Sequence, residues 1–115
     1  MAKVKLFCYG TLKRGYSNHG LIEGSKYLGN YELEGSTLID LGAYPGLIPA
    51  EDDVHDVVLG ELYEIDDDLL PRLDRLEGVP WLYTRERTLD DIYYYQYARG
   101  TGTIIGSSWP VHPSR

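Results

Sequence analysis

Residues 66–80 read "DDDLLPRLDRLEGVP", and this stretch decides the fold class. Leu69, Leu70, Leu73 and Leu76 recur at i, i+1, i+4 and i+7, the apolar stripe of an amphipathic helix. Asp66, Asp67 or Asp68 is placed to cap its start, where orphan N–H groups meet acidic side chains. Pro71 falls within the first turn, whose N–H groups lack an intrahelical partner in any case. Gly78 followed by Pro80 stops the helix.

On either side the pattern changes to that of strands. Upstream, "KVKLFCY" (3–9) alternates, with Val4, Leu6 and Cys8 on one face and Lys3, Lys5, Phe7 and Tyr9 on the other. "KYLGNYELEGSTLIDLG" (26–42) holds two strand-like runs around Gly35, and "YSNHGLIEGS" (16–25) leaves room for one helical turn at 18–22. "AYPGLIPAEDD" (43–53) reads as a loop because of its proline and glycine. "DVVLGELYEI" (56–65) is β-branched and aromatic, with Gly60 marking a bulge or a close approach. Downstream, "YTRERTL" (83–89) and "IYYYQYA" (92–98) form a hairpin about Asp90-Asp91. The tail "IIGSSWPVHPSR" (104–115) is expected to dock through Ile104, Ile105 and Trp109. Strands, one main helix with a short helical turn besides, then strands predict a single α+β domain over 1–115 with a mostly antiparallel or mixed sheet, either open or curled into a barrel.

Charge and composition remove several functions. A net charge of −7 repels phosphate backbones, which argues against nucleic-acid binding. The acidic runs "EDDVHD" (51–56) and "EIDDD" (64–68) read as a solvated loop and a helix start. His19, His55 and His112 have no metal-ligand spacing, so no metal site is expected. Cys8 is the lone cysteine; it excludes an internal disulfide and reads as core rather than as a nucleophile. No leader-like or membrane-spanning apolar run is present, so no membrane partner is expected and the cytoplasm is the simplest location. Eleven tyrosines against one phenylalanine favour strands and cavities whose polar tips satisfy ring hydroxyls.

Two features carry chemistry. Glu77 lies four residues after Leu73 and seven after Leu70, so it extends the apolar stripe to the negative end of the helix dipole. Burial and the dipole both disfavour its charged form, which suits a general acid/base at neutral pH. The alternative is a stripe-edge glutamate bending out to solvent. Asp74 and Arg75 look like ordinary exposed helix charges. "YGTLKRG" (9–15) is a glycine turn directly after a strand; consecutive N–H groups there either cradle an anion or simply close the turn.

Taken in order, "FCYGTLKRG", "SNHGLI", "YPGLIP", "GELYEID", "LDRLEG", "LYTR" and "IIGSSW" resemble the γ-glutamylcyclotransferase-like family, including the AIG2-like proteins. "YGTLKRG" followed by Asn18-His19 is most similar to its γ-glutamylamine cyclotransferase branch. The resemblance implies a small mixed β-barrel with a cavity at one end. It implies an enzyme without a cofactor, acting on a small-molecule γ-glutamyl substrate. The substrate's own α-amine attacks its γ-carbonyl, releasing an amine and forming 5-oxoproline. The family's catalytic glutamate falls on Glu77 and its substrate loop on Tyr9, Gly10, Thr11 and Leu12, with Gly10 letting the chain approach the ligand. Tyr83 would add a hydroxyl to the pocket, Arg85 a structural ion pair. Lys13 and Arg14 read as solvated charges at the rim. A non-catalytic binding module for a small acidic metabolite or a partner is the other reading of the same fold, motivated by "IYYYQY" and the acidic loop 51–56.

Overall fold

A computed structural model describes residues 2–51, 56–100 and 102–110. His55, His112, the middle of the acidic run 51–56 and the end of the tail lie outside the described residues. The strands are β1 (Lys3–Cys8), β2 (Lys26–Glu34), β3 (Ser36–Asp40), β4 (Pro45–Pro49), β5 (Val57–Asp66), β6 (Tyr83–Arg87), β7 (Ile92–Tyr97) and β8 (Ile104–Gly106). The main helix, α1 (Leu70–Glu77), follows a 3-10 turn at Asp67–Leu69, and a second such turn spans His19–Ile22.

Five strands form a mixed sheet in the order β2-β5-β1-β7-β6, and three form a second sheet in the order β4-β3-β8. β1 pairs antiparallel with β5 and parallel with β7. The α+β class is as expected, but the sheets stack rather than close. Closure needs every edge strand to find a hydrogen-bonding neighbour. Here β2 and β6 remain edges of one sheet, and the chain leaves that sheet at Gly35 to begin the other.

The alternation seen in 3–9 is real but does not divide core from solvent. Leu6 and Cys8 enter a core shared with Ile22, Leu70, Leu73 and Tyr83. Phe7 and Tyr9 enter a second core shared with Leu38, Leu47 and Val58. The helix covers one face of β1 and the second sheet covers the other, so a central strand is apolar on both sides. Gly60 is a close-approach point: a Cβ there would lie 2.3 Å from the Cys8 carbonyl oxygen and 2.8 Å from the Phe7 ring.

Two expectations require correction. Residues 45–49 form a strand, not a loop, because β4 is a sheet edge whose prolines stand at its two ends. There a missing N–H costs no ladder bond. The tail adds β8 to β3; Ile105 and Trp109 pack on the second core, whereas Ile104 is exposed.

The helix begins with Pro71 inside its first turn and ends as expected. Gly78 adopts φ 67°, ψ 35°, a left-handed conformation that glycine enters without penalty. Its N–H and that of Val79 then satisfy the carbonyls of Arg75 and Asp74. No aspartate side chain caps the start; Asp66 pairs with Lys3 instead. Leu73 is fully buried, which contributes roughly 2 kcal/mol of apolar burial. Leu76 is 38% exposed, so the stripe opens at its last turn. Among the described residues no helix is long and apolar enough to cross a membrane.

Candidate active site

The open end of the stripe borders a cleft of about 230 Å³. Four parts of the fold build it. The β1 exit supplies Tyr9, Gly10, Thr11 and Leu12; the end of α1 supplies Leu76 and Glu77; the approach to β4 supplies Tyr44 and Pro45; β6 and β7 supply Tyr83 and Tyr95. The register explains their convergence. β1 lies between β5 and β7, so its exit loop emerges beside the hairpin. The Gly78 turn runs directly from the helix into that hairpin: the N–H of Leu82 donates to the Gly78 carbonyl at 2.9 Å.

Among the described residues, Glu77 is the only carboxyl lining the cleft. Burial of the carboxyl among apolar and aromatic side chains raises its pKa to about 7, as the desolvation of a charge requires. It makes no hydrogen bond to another described side chain. The thiol of Cys8 and the hydroxyls of Tyr9 and Tyr83 are pushed up, chiefly by burial and further by the negative charge of Glu77. Tyr95 is raised by burial first, then by its bond to Asp74. These groups remain protonated near neutral pH, which leaves Glu77 as the group poised to titrate there.

The same cleft is lined by the turn that follows β1. The loop is closed by Lys13 N–H to the Gly10 carbonyl (3.0 Å) and Asn18 N–H to the Thr11 carbonyl (2.9 Å). Asn18 Nδ2 donates to Thr11 Oγ1 at 2.8 Å, and His19 Nδ1 lies 2.9 Å from the Leu12 carbonyl. The carbonyls are thus occupied, while the N–H groups of Gly10, Thr11 and Leu12 bond to no described backbone acceptor. Such a row of N–H groups offers an anion-sized cradle. The expected use of Gly10 shifts: a Cβ there would stand 3.1 Å from Cγ and Cδ of Pro45, so the glycine accommodates the cleft's own wall. Leu12 lines the cleft and is also a buried member of the first core.

The aromatic walls are fixed by their hydroxyls. Tyr9 donates to the Tyr95 carbonyl and Tyr83 to the Pro45 carbonyl, both at 2.6 Å. Tyr95 donates to Asp74 Oδ1 at 2.8 Å, and Arg85 pairs with Asp74 Oδ2 at 3.0 Å. Arg85 is therefore the structural ion pair expected. Asp74 is not an ordinary exposed charge, because it ties the helix to the hairpin behind the site. Lys13 is also no free rim charge: it donates to the Trp109 carbonyl. Arg14 is exposed and stacks on Tyr27 at 4.4 Å.

All the residues singled out from the sequence line this one cleft: Tyr9, Gly10, Thr11, Leu12, Glu77 and Tyr83. Asn18, Tyr44, Pro45 and Tyr95 were not singled out as site residues. "SNHGLI" and "YPGLIP" stood among the ordered segments and were the available signal for three of them.

Comparison with known proteins identifies the family. The family model "Gamma-glutamyl cyclotransferase, AIG2-like" matches residues 6–109. A gamma-glutamylcyclotransferase-type protein of Vibrio cholerae is 40% identical over 109 residues, covering 89% of this chain and 90% of its own. The gamma-glutamylaminecyclotransferase of Rattus norvegicus is 32% identical, covering 87% of this chain and 72% of its own. The crystal structure of a mouse AIG2-like protein superposes with a TM-score of 0.71 at 29% identity, covering 85% of this chain and 79% of that one. The matched segment holds both residues 9–12 and Glu77, and the chain belongs to the gamma-glutamyl cyclotransferase, AIG2-like family.

Proposed function

We propose that the protein is a γ-glutamylamine-type cyclotransferase, with Glu77 as its general acid/base. The observation that carries this reading is one cleft with two unlike features. It is lined by a carboxyl raised to about 7 and by residues 10–12, whose N–H groups bond to no described backbone acceptor. A carboxyl tuned to the working pH moves protons in both directions. A row of N–H groups stabilises negative charge without reorganising.

In the proposed reaction, ionised Glu77 takes a proton from the α-ammonium group of a γ-glutamyl amide. The freed amine attacks the γ-carbonyl carbon, a C–N bond forms, and the carbonyl electron pair moves onto oxygen. The N–H groups of Gly10, Thr11 and Leu12 hold the α-carboxylate or this oxyanion. Collapse of the tetrahedral species breaks the original amide C–N bond, and protonated Glu77 returns its proton to the departing amine. The ring nitrogen still carries a second proton, which ionised Glu77 takes and passes to the released amine. The products are therefore 5-oxoproline and the amine in its ammonium form, and Glu77 is regenerated ionised. Tyr9 and Tyr83 line the substrate's path, their donated hydrogen bonds keeping both rings in place.

The test is to incubate the protein with γ-glutamyl-ε-lysine and other γ-glutamylamines and assay 5-oxoproline. Product from at least one is expected. No product from any of them, with folded protein, refutes the enzyme reading. Thermal stabilisation by glutamate or 5-oxoproline without turnover would favour the binding module instead.

A further inference from the structure

The substrate loop is held in two ways, and only the first is local. Its internal bonds between residues 10 and 19 fix its shape. They do not fix where that shape stands relative to Glu77, on a different element. External ties must do so. One runs from Arg14 N–H to Glu61 Oε1 on β5, at 2.8 Å. Leu12 adds a second by packing in the core that also holds Leu73 of α1, and a third comes from the tail. The Lys13 ammonium donates to the Trp109 carbonyl. It also stands over the Tyr16 ring, 5.2 Å from its centroid. The Tyr16 ring packs against the Trp109 indole with centroids 5.4 Å apart.

The tail is itself anchored. β8 pairs with β3 in the second sheet, the N–H of Leu59 on β5 donates to the Ser107 carbonyl at 2.7 Å, and Trp109 packs against the second core. The segment 104–110 thus runs from one sheet, past the other, to the outer side of the substrate loop. Neither Tyr16 nor Trp109 lines the cleft, so any effect they have on the reaction is exerted through the loop.

We propose that Lys13, Tyr16 and Trp109 form a clasp that positions the N–H groups of Gly10, Thr11 and Leu12 opposite Glu77. These three are positioning residues, and their role in turnover rests on the cyclotransferase reading above. A loop that samples other positions presents a competent site only part of the time, and apparent affinity falls in proportion to that fraction. Once substrate is bound, the loop is held by the substrate itself, so the penalty falls on KM more than on kcat.

The experiment compares wild type, Trp109→Ala and Lys13→Met for kinetics on a γ-glutamylamine, alongside amide hydrogen exchange at residues 10–18. Lys13→Met removes the bond to Trp109 but keeps the aliphatic stem and leaves Trp109 in its core, so it covers the case in which Trp109→Ala fails to fold. The expected result is a KM raised about tenfold with kcat within about twofold, and faster exchange at residues 10–12 than in wild type. Lys13→Arg, which restores a donor, should recover most of the KM. Unchanged exchange at residues 10–12 in Lys13→Met overturns the clasp. So does a loss of kcat with KM unchanged. If wild type itself forms no 5-oxoproline, the cyclotransferase reading fails and the exchange comparison alone decides the clasp.

Discussion

Replacing Glu77 by glutamine should inactivate the protein and, at alkaline pH, stabilise it. Its pKa rises from the ordinary 4.5 to about 7 because the carboxyl is withdrawn from water. The folded protein therefore binds this proton more tightly than the unfolded chain does. Below about pH 4.5 the carboxyl is neutral in both states, and its burial carries no charge penalty. As pH rises through 7 the folded protein must ionise a carboxyl that its surroundings disfavour, and stability falls. The full difference corresponds to at most about 3 kcal/mol. Glutamine keeps the shape and stays neutral, so Glu77→Gln should escape that loss. At pH 8 the variant should be more stable by up to about 3 kcal/mol, or roughly 10 °C in Tm for a domain of this size. At pH 4 the two should coincide. Urea unfolding at pH 4, 6 and 8 reads this directly, because every other titrating group is common to both proteins. Turnover should meanwhile fall about 10²–10⁴-fold, the range for losing a general acid/base. Parallel stability profiles for the two proteins would refute the desolvation argument, and retained turnover would remove Glu77 from the mechanism.

Gly60→Ala drives a Cβ to within 2.3 Å of the Cys8 carbonyl oxygen; neither strand can yield, and a loss of about 3 kcal/mol or more is expected by urea unfolding. A loss below 1 kcal/mol would mean that β1 and β5 separate more easily than their packing implies. Asp74→Ala leaves both Arg85 and the Tyr95 hydroxyl unpaired and should cost about 1–3 kcal/mol; an unchanged urea midpoint would show that the tie behind the site is dispensable. Tyr83→Phe removes the bond to the Pro45 carbonyl, at about 1 kcal/mol. It should raise KM more than it lowers kcat, because the hydroxyl holds a wall and not a proton in flight. A kcat loss as large as that of Glu77→Gln would give Tyr83 a chemical role.

The features legible in the sequence were those set by short-range periodicity. The 3.6-residue stripe placed α1, and the same count picked out Glu77 among eighteen acidic residues, because a helix relates residues four and seven apart to one face. The hairpin at Asp90-Asp91 was legible for the same reason. What failed depended on distant partners. The alternation of residues 3–9 could not reveal that a second sheet covers the face carrying Phe7 and Tyr9. Proline at 45 and 49 argued for a loop until the strand proved to be an edge. Asp74 looked exposed because its partners, Arg85 and Tyr95, lie on two other strands. Tyr44 reaches the cleft only through the approach to β4 in the second sheet, and Tyr95 only because β7 pairs beside β1.

The parallel pairing of β1 with β7 has a consequence for how the molecule is made. β1 leaves the ribosome before either of its two neighbours, β5 and β7. A strand apolar on both faces must wait for them, and contacts so distant in sequence form slowly. The turn at residues 9–12, which hangs from the end of β1, meets Glu77 in the cleft lining only when α1 has been synthesised and docked. An emerging chain therefore carries residues 9–12 early but has no cleft until most of the fold is complete. A variant that delays β7 should leave β1 open to chaperones and to self-association, even when every residue of the cleft is intact.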